Sequence, residues 1–258
     1  DEQRRWLAAR GGSEEDLARI DALRGAVLAR SGQALKALAI LEAVATNRFS
    51  GTRHWNMTAA RDWRMAATLA AALGDHDSFQ RLCQFGVLRF ASTAEGYVAF
   101  DVASTLLLQV TDQTIRATAD ALLDRAAATS ELGQAYMGSD RAVLAWRERR
   151  YLEALTLLDR FRNTPITAPL SSILPGLPGQ QASVVFLRAI LCAELGRVDE
   201  ARRDFAAASE QLKLALGDKP GHDRGTYWYL AYQAETRQRK AIEVFKAKDI
   251  SPPEPSAK

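Results

Sequence analysis

The 258-residue chain holds only two cysteines, Cys83 and Cys192, far apart and each flanked by apolar residues. Both read as buried thiols acting as small hydrophobes. Histidine is nearly as scarce, with three. His54, His76 and His222 fall in separate loops or loop edges. Asp75 and Asp77 lie close to His76, yet no HExxH or CxxC spacing supports a metal site, so solvated loop side chains are the expectation. β-Branched residues are sparse while alanine and leucine abound, which favours helix throughout. No apolar run reaches the roughly 18 residues a membrane span needs, so no membrane insertion is expected of this segment. Neither sign of charge dominates: 34 Lys and Arg against 31 Asp and Glu give a net charge of +3. Such a balance permits acidic partners or nucleic acid without demanding either. The opening DEQRRW carries neither a signal peptide nor an initiator Met, so the expectation is a fragment of a longer polypeptide or a processed chain.

What is present is helical pairing. The run LCAELGRVDEARRDFAAASEQL has a glycine at its centre, Gly196. Glycine costs about 1 kcal/mol against alanine inside a helix. Upstream, Ala182 to Leu195 places Val185, Leu187, Ala189, Ile190, Cys192 and Ala193 on one broad apolar face. Downstream, Val198 to Leu216 carries Ala201, Phe205, Ala208 and Leu212 at spacings of four, three and four. Two amphipathic helices joined at Gly196 explain both halves, with the glycine just past the first helix in a left-handed conformation.

The design recurs. Arg19 to Arg30 and Leu35 to Thr46 flank SGQ; Asp62 to Leu73 and Ser78 to Phe90 flank GDHD; Arg141 to Glu148 and Leu152 to Arg162 flank RRY. Tyr97 to Val110 and Gln113 to Ala128 read as a further pair, with Asp112 as an N-cap. Repeats of 30 to 50 residues imply a solenoid, in which each unit leans on its neighbours. Residues 164–180 contain four prolines and read as a long loop. GDKPGHDRG at 217–225 is a second break, and 249–258 reads as a disordered tail.

These hairpins resemble tetratricopeptide (TPR) repeats. Gly25, Gly32, Ala37 and Leu41 carry the pattern in the first unit; Trp63, Gly74, Phe79 and Cys83 in the second. Ala142, Tyr151, Ala154 and Leu158 carry it in a later unit, and Ala189, Gly196, Ala201, Phe205 and Ala208 in the last clear one. Phe79 stands where the family has Ala, and Arg149 where it has the turn Gly. The resemblance implies an all-α fold, a right-handed superhelical stack of TPR-like hairpins filling 1–248. The segment ALGDHDSFQRLCQFGVLRF, with Gly74, Asp75, Phe79, Arg81, Cys83 and Phe90, resembles the C-terminal repeat regions of large bacterial serine/threonine kinases of planctomycete or verrucomicrobial type. No Gly-rich phosphate loop, HRD or DFG motif accompanies it.

No serine or cysteine sits in a nucleophile motif, and Glu14, Glu15 and Asp16 suit a helix N-terminus. No catalytic, cofactor or metal residue is therefore assigned, and the expected role is a non-catalytic scaffold or sensor that binds a protein or peptide. A cytoplasmic setting is expected. The alternatives are a regulatory or substrate-positioning domain of a kinase, or a nucleic-acid binder using arginines interleaved with aromatics. In TPR proteins the first helix of each hairpin lines a groove. Carried onto this chain, that implies Arg61, Arg64 and Thr68, then Tyr136, Val143, Trp146 and Arg147, then Ser183, Phe186 and Ile190 as peptide-binding positions. Arginines there would pair acidic side chains or a C-terminal carboxylate. The Lys and Asn set of the chaperone-binding carboxylate clamp is absent.

Overall fold

The computed structural model describes residues 2–47, 57–109, 112–129, 131–163, 178–216 and 229–253. Every element among them is an α-helix, and none is a strand. No described helix is long and apolar enough to cross a membrane. The sequence reads 1–248 as one array; the contacts fall into two compact units, 1–93 and 94–258.

The first unit contains α1 (Glu2–Ala9), α2 (Glu14–Arg30), α3 (Ala34–Asn47), α4 (Met57–Leu73) and α5 (His76–Phe90). Each packs on the next in sequence. Ser13 caps α2 by accepting from the Asp16 amide, and Glu14, Glu15 and Asp16 occupy its first turn. Asp75 caps α5 through the Ser78 amide at 3.0 Å. That hydrogen bond holds the Asp75 carboxyl below its ordinary range. His76, expected in a loop or at its edge, is the first residue of that helix. Trp63 of α4 is fully buried, donates its indole N–H to the Leu82 carbonyl at 2.8 Å, and lies 5.5 Å from the Phe90 ring.

The second unit contains α6 (Gly96–Leu106), α7 (Gln113–Thr129), α8 (Glu131–Arg147), α9 (Tyr151–Asn163), α10 (Pro178–Glu194), α11 (Val198–Leu216) and α12 (Tyr229–Ala247). The Asp112 carboxylate accepts from the amides of Thr114 and Ile115 and caps α7 as expected. Neighbours in sequence pack together from α6 to α9, and again from α9 to α12. A second set of contacts joins every other helix, α6 to α8, α8 to α10 and α10 to α12. These four therefore form one row, with α7, α9 and α11 packed against it. Phe186, Phe205 and Phe245 stack through α10, α11 and α12 at 5.4 and 5.3 Å between ring centres. Arg188 of α10 pins the same region: it binds Asp159 of α9 at 2.9 Å, and Asp204 and Glu200 of α11. Burial works against its charge, but the hydrogen bonds it donates to Asp159 and Asp204 outweigh that and raise its pKa.

Several helices end in the same way. Gly196 has φ +73°; its amide reaches back to the Ala193 carbonyl, and the Arg197 amide to Cys192. Gly32 and Gly74 repeat this double bond with φ of +79° and +72°. Arg149 repeats it with φ +61°, so the left-handed turn survives the loss of its glycine. An L side chain is strained there by about 1 kcal/mol or more. Arg149→Gly should accordingly raise stability by about 1 kcal/mol, and Gly196→Ala should lower it by a similar amount. Urea midpoints at constant m-value would read both, and equal midpoints for Arg149→Gly and wild type would count against strain at this turn.

Two boundaries differ from the sequence reading. Helix α10 starts at Pro178, inside the expected loop, because proline is well suited to the first position of a helix. Residues 249–251, expected in a disordered tail, are tied down. Ile250 is buried, its amide bonds the Phe245 carbonyl at 2.8 Å, and the Ser251 carbonyl accepts from Arg202. The rest of that loop, the break at 217–225 and the end of the tail lie outside the described residues. The two thiols are free and buried, one in each unit. Burial pushes Cys83 up to about 12 and Cys192 up to about 11.

Candidate functional site

Helix α8 carries Asp140, Val143 and Arg147 at spacings of three and four, so one face presents all three. Asp140 is buried and accepts from the Ser104 hydroxyl of α6 at 2.5 Å. Val143, one turn further on, is buried as well. One turn on, the Arg147 guanidinium lies 4.5 Å from the Trp146 ring centre, a cation–π distance. Its Nη2 donates to the Leu108 carbonyl at 3.2 Å, which ties the end of α8 to the end of α6. Its Nε–H is buried and finds no acceptor among the described residues. Leaving a buried charged donor unmatched costs more than the roughly 1 to 3 kcal/mol of a neutral group.

A second arginine shares the setting. Arg237 of α12 lies deep among protein atoms yet keeps part of its surface open to solvent. No hydrogen bond from its guanidinium is found among the described residues. Burial pushes its pKa down to about 10; the Asp140 carboxylate opposes that shift and the Arg147 guanidinium adds to it. Burial also lowers Arg147, with a further push from Arg116 of α7. Arg116 thus acts on Arg147, and Arg147 on Arg237, through like charge, while the Asp140 carboxylate favours the charge of Arg237. No group of three potential metal ligands occurs among the described residues.

The positions expected to bind peptide have different fates. Arg61 is exposed on α4, whereas Arg64 is buried at 7% exposure and Thr68 at 1%. These three belong to the unit 1–93 and the others to 94–258. Val143, Ser183, Phe186 and Ile190 are buried, at 4% exposure or less, and are core residues with no surface to offer a ligand. The reason is packing: α10 touches α8, α9, α11 and α12 and is buried around most of its circumference. Trp146 is 9% exposed and supports Arg147. The side chains of Tyr136, His54, Trp55, His222, Tyr227 and Trp228 lie outside the described residues.

Arg237 was missed, although a signal existed. Leu230, Ala234, Ala241 and Val244 form the buried stripe of α12, and Arg237 falls on that stripe at i+3 from Ala234. An arginine at a core position needs a partner or a ligand. Arg81, by contrast, pairs Glu42 of α3 at 3.0 Å and spans the two hairpins of its unit. Its companions in the kinase-like segment serve the same packing: Gly74 turns, Asp75 caps, and Phe79, Cys83 and Phe90 are buried. No family model matches the chain, and neither a curated protein nor a solved structure aligns with it.

Proposed function

We propose that the chain is a non-catalytic module that binds a protein or peptide, built as a superhelical stack of TPR-like hairpins. The row formed by α6, α8, α10 and α12 carries this reading. Alternate helices touching along one side is the arrangement by which TPR repeats present a groove. The recurring left-handed turns at Gly32, Gly74, Arg149 and Gly196 support a repeat origin for the hairpins. Arg147 is an arginine of the row suited to meet an acidic group: its guanidinium lies against the Trp146 ring and the residue keeps part of its surface open to solvent. The setting would be the accessory repeat region of a larger bacterial signalling protein of the serine/threonine kinase type. That part rests on the resemblance of residues 74–90, whose packing duties are equally those of any such hairpin. The net charge of +3 gives little support to a nucleic-acid polymer as the ligand.

The test is retention of the full chain on an immobilised random-peptide library. Arg147→Glu should lower the affinity of the selected peptides by at least about tenfold, with the helical circular dichroism unchanged. Lys36→Glu, on an exposed site of α3 in the other unit and outside the expected binding positions, serves as the control for charge alone. A library that retains nothing, or equal retention by wild type and Arg147→Glu, would reject this function. Retention of single-stranded nucleic acid with a steep salt dependence would replace it with the nucleic-acid reading.

A further inference from the structure

We infer that the solvent-facing side of α2 is a docking surface for an amphipathic helix of a partner protein, one whose apolar seam is flanked by Asp or Glu. The surface belongs to the first unit and does not depend on the row of helices in the second. Two sides of α2 are already occupied. Ala22, Gly25 and Ala29 are buried, and a Cβ added at Gly25 would fall 2.7 Å from Leu41 Cγ of α3. On another side Arg4 of α1 pairs Asp21 at 2.9 Å. The side turned away from both carries Ile20, Leu23 and Val27. Leu23 is 60% exposed and Val27 52%, while Ile20 is half-buried.

The spacing of these three residues selects a helix as the occupant. Steps of three and then four place Ile20 and Val27 at a positions of a heptad and Leu23 at d, β-branched and γ-branched as two-stranded packing prefers. At 3.6 residues per turn they span roughly 60° of the helix circumference. That is the width of a coiled-coil seam and narrower than a broadly buried face. A helix lying in lipid would bury a whole apolar face instead.

Charge selects the partner. Arg19 and Arg24 are exposed and fall at the g and e positions that border the seam. A second copy of α2 would set Arg19 against Arg24 if parallel, and each arginine against its own counterpart if antiparallel. Either way like charges oppose self-pairing, whereas Glu or Asp on a partner helix converts the same positions into ion pairs. The seam is short, about 10 Å from Ile20 to Val27, because Asp16 and Arg30 occupy the neighbouring d positions. Apolar contact is therefore limited, the flanking charges carry a large share of the attraction, and salt should weaken it.

The experiment titrates the full chain into a fluorescent, end-blocked peptide of three heptads with Leu at a and d, Glu at e and g, and Ala or Gln elsewhere. Its own glutamates keep it from pairing with itself. A second peptide carries Lys at e and g. Fluorescence anisotropy should show saturable binding of the Glu peptide, at least about tenfold tighter than the Lys peptide and weakened severalfold by added salt. The double variant Leu23→Ser, Val27→Ser should lower that affinity by at least about tenfold with the helical circular dichroism unchanged, since both side chains are exposed. Arg19→Glu with Arg24→Glu should reverse the preference, so that the Lys peptide binds tighter. The two peptides are first compared on the wild type, so a poorly folding variant does not remove the test. No binding of the Glu peptide, equal binding of both peptides, or wild-type affinity in the Leu23→Ser, Val27→Ser variant would each overturn the inference. So would sedimentation in which the wild type dimerises and that variant does not, which would make the occupant a second copy. Binding to phosphatidylserine vesicles that the Glu peptide fails to displace would overturn it as well, in favour of lipid.

Discussion

Trp63→Ala should cost about 4 kcal/mol of stability, the range expected for emptying a fully buried indole. Trp63 has no exposed surface, bonds the Leu82 carbonyl and meets Phe90, so α4 and α5 lose their main point of contact together. The geometry at Gly86 sharpens the expectation. A Cβ added there would fall within 2.7 Å of Trp63 Cε2 and closer still to Cζ2. Gly86→Ala should therefore destabilise the wild type by about 2 kcal/mol through overpacking. In the Trp63→Ala background the same change should become neutral or favourable by up to about 1 kcal/mol, because the ring is gone and alanine is the better helix former. A double-mutant cycle in urea measures this sign reversal. Additive losses would show that the two positions do not touch.

Phe205→Ala should have an effect of comparable size in the other unit, about 4 kcal/mol. Its ring bridges Phe186 and Phe245, so truncation removes two aromatic contacts worth about 1 kcal/mol each beyond burial. Hydrogen exchange offers the check: amides of α10, α11 and α12 should lose protection together, since the three helices share that stack. Loss confined to α11 would mean the stack contributes little to holding the helices against one another.

The paired helices were legible because their signals are local. Glycines at 32, 74 and 196 mark turns that only a left-handed residue closes cheaply, and Asp112 caps a helix with its own side chain. Arg149 shows the limit of that logic: the turn persists where the residue disagrees, because the helices on either side pack well enough to carry the strain. The early part of α8 was hidden for a related reason. Gly133 and Gly138 weaken its helical signal, yet Gly138 is where a Cβ would come within 3.0 Å of Phe161 Cβ on α9. Close packing, which the sequence does not display, overrides propensity there. The site was half legible. Arg147 follows an aromatic and could be read as a binding residue, whereas Arg237 lies ninety positions later, and only the fold sets it where the charges of Asp140 and Arg147 act on it. Helical periodicity shows that Phe186 and Ile190 face something apolar. It does not say whether that something is a ligand or another helix, and here they are sealed in the core.

The two shielded sulfurs have a practical consequence. Cys83 and Cys192 are both protonated and enclosed at neutral pH, one on α5 and one on α10. Thiolate is the species that reacts with alkylating reagents, so modification must wait for the surrounding helices to part. Each half of the molecule thus carries its own built-in clock, and mass-resolved labelling of the two peptides would time their openings independently within a single sample.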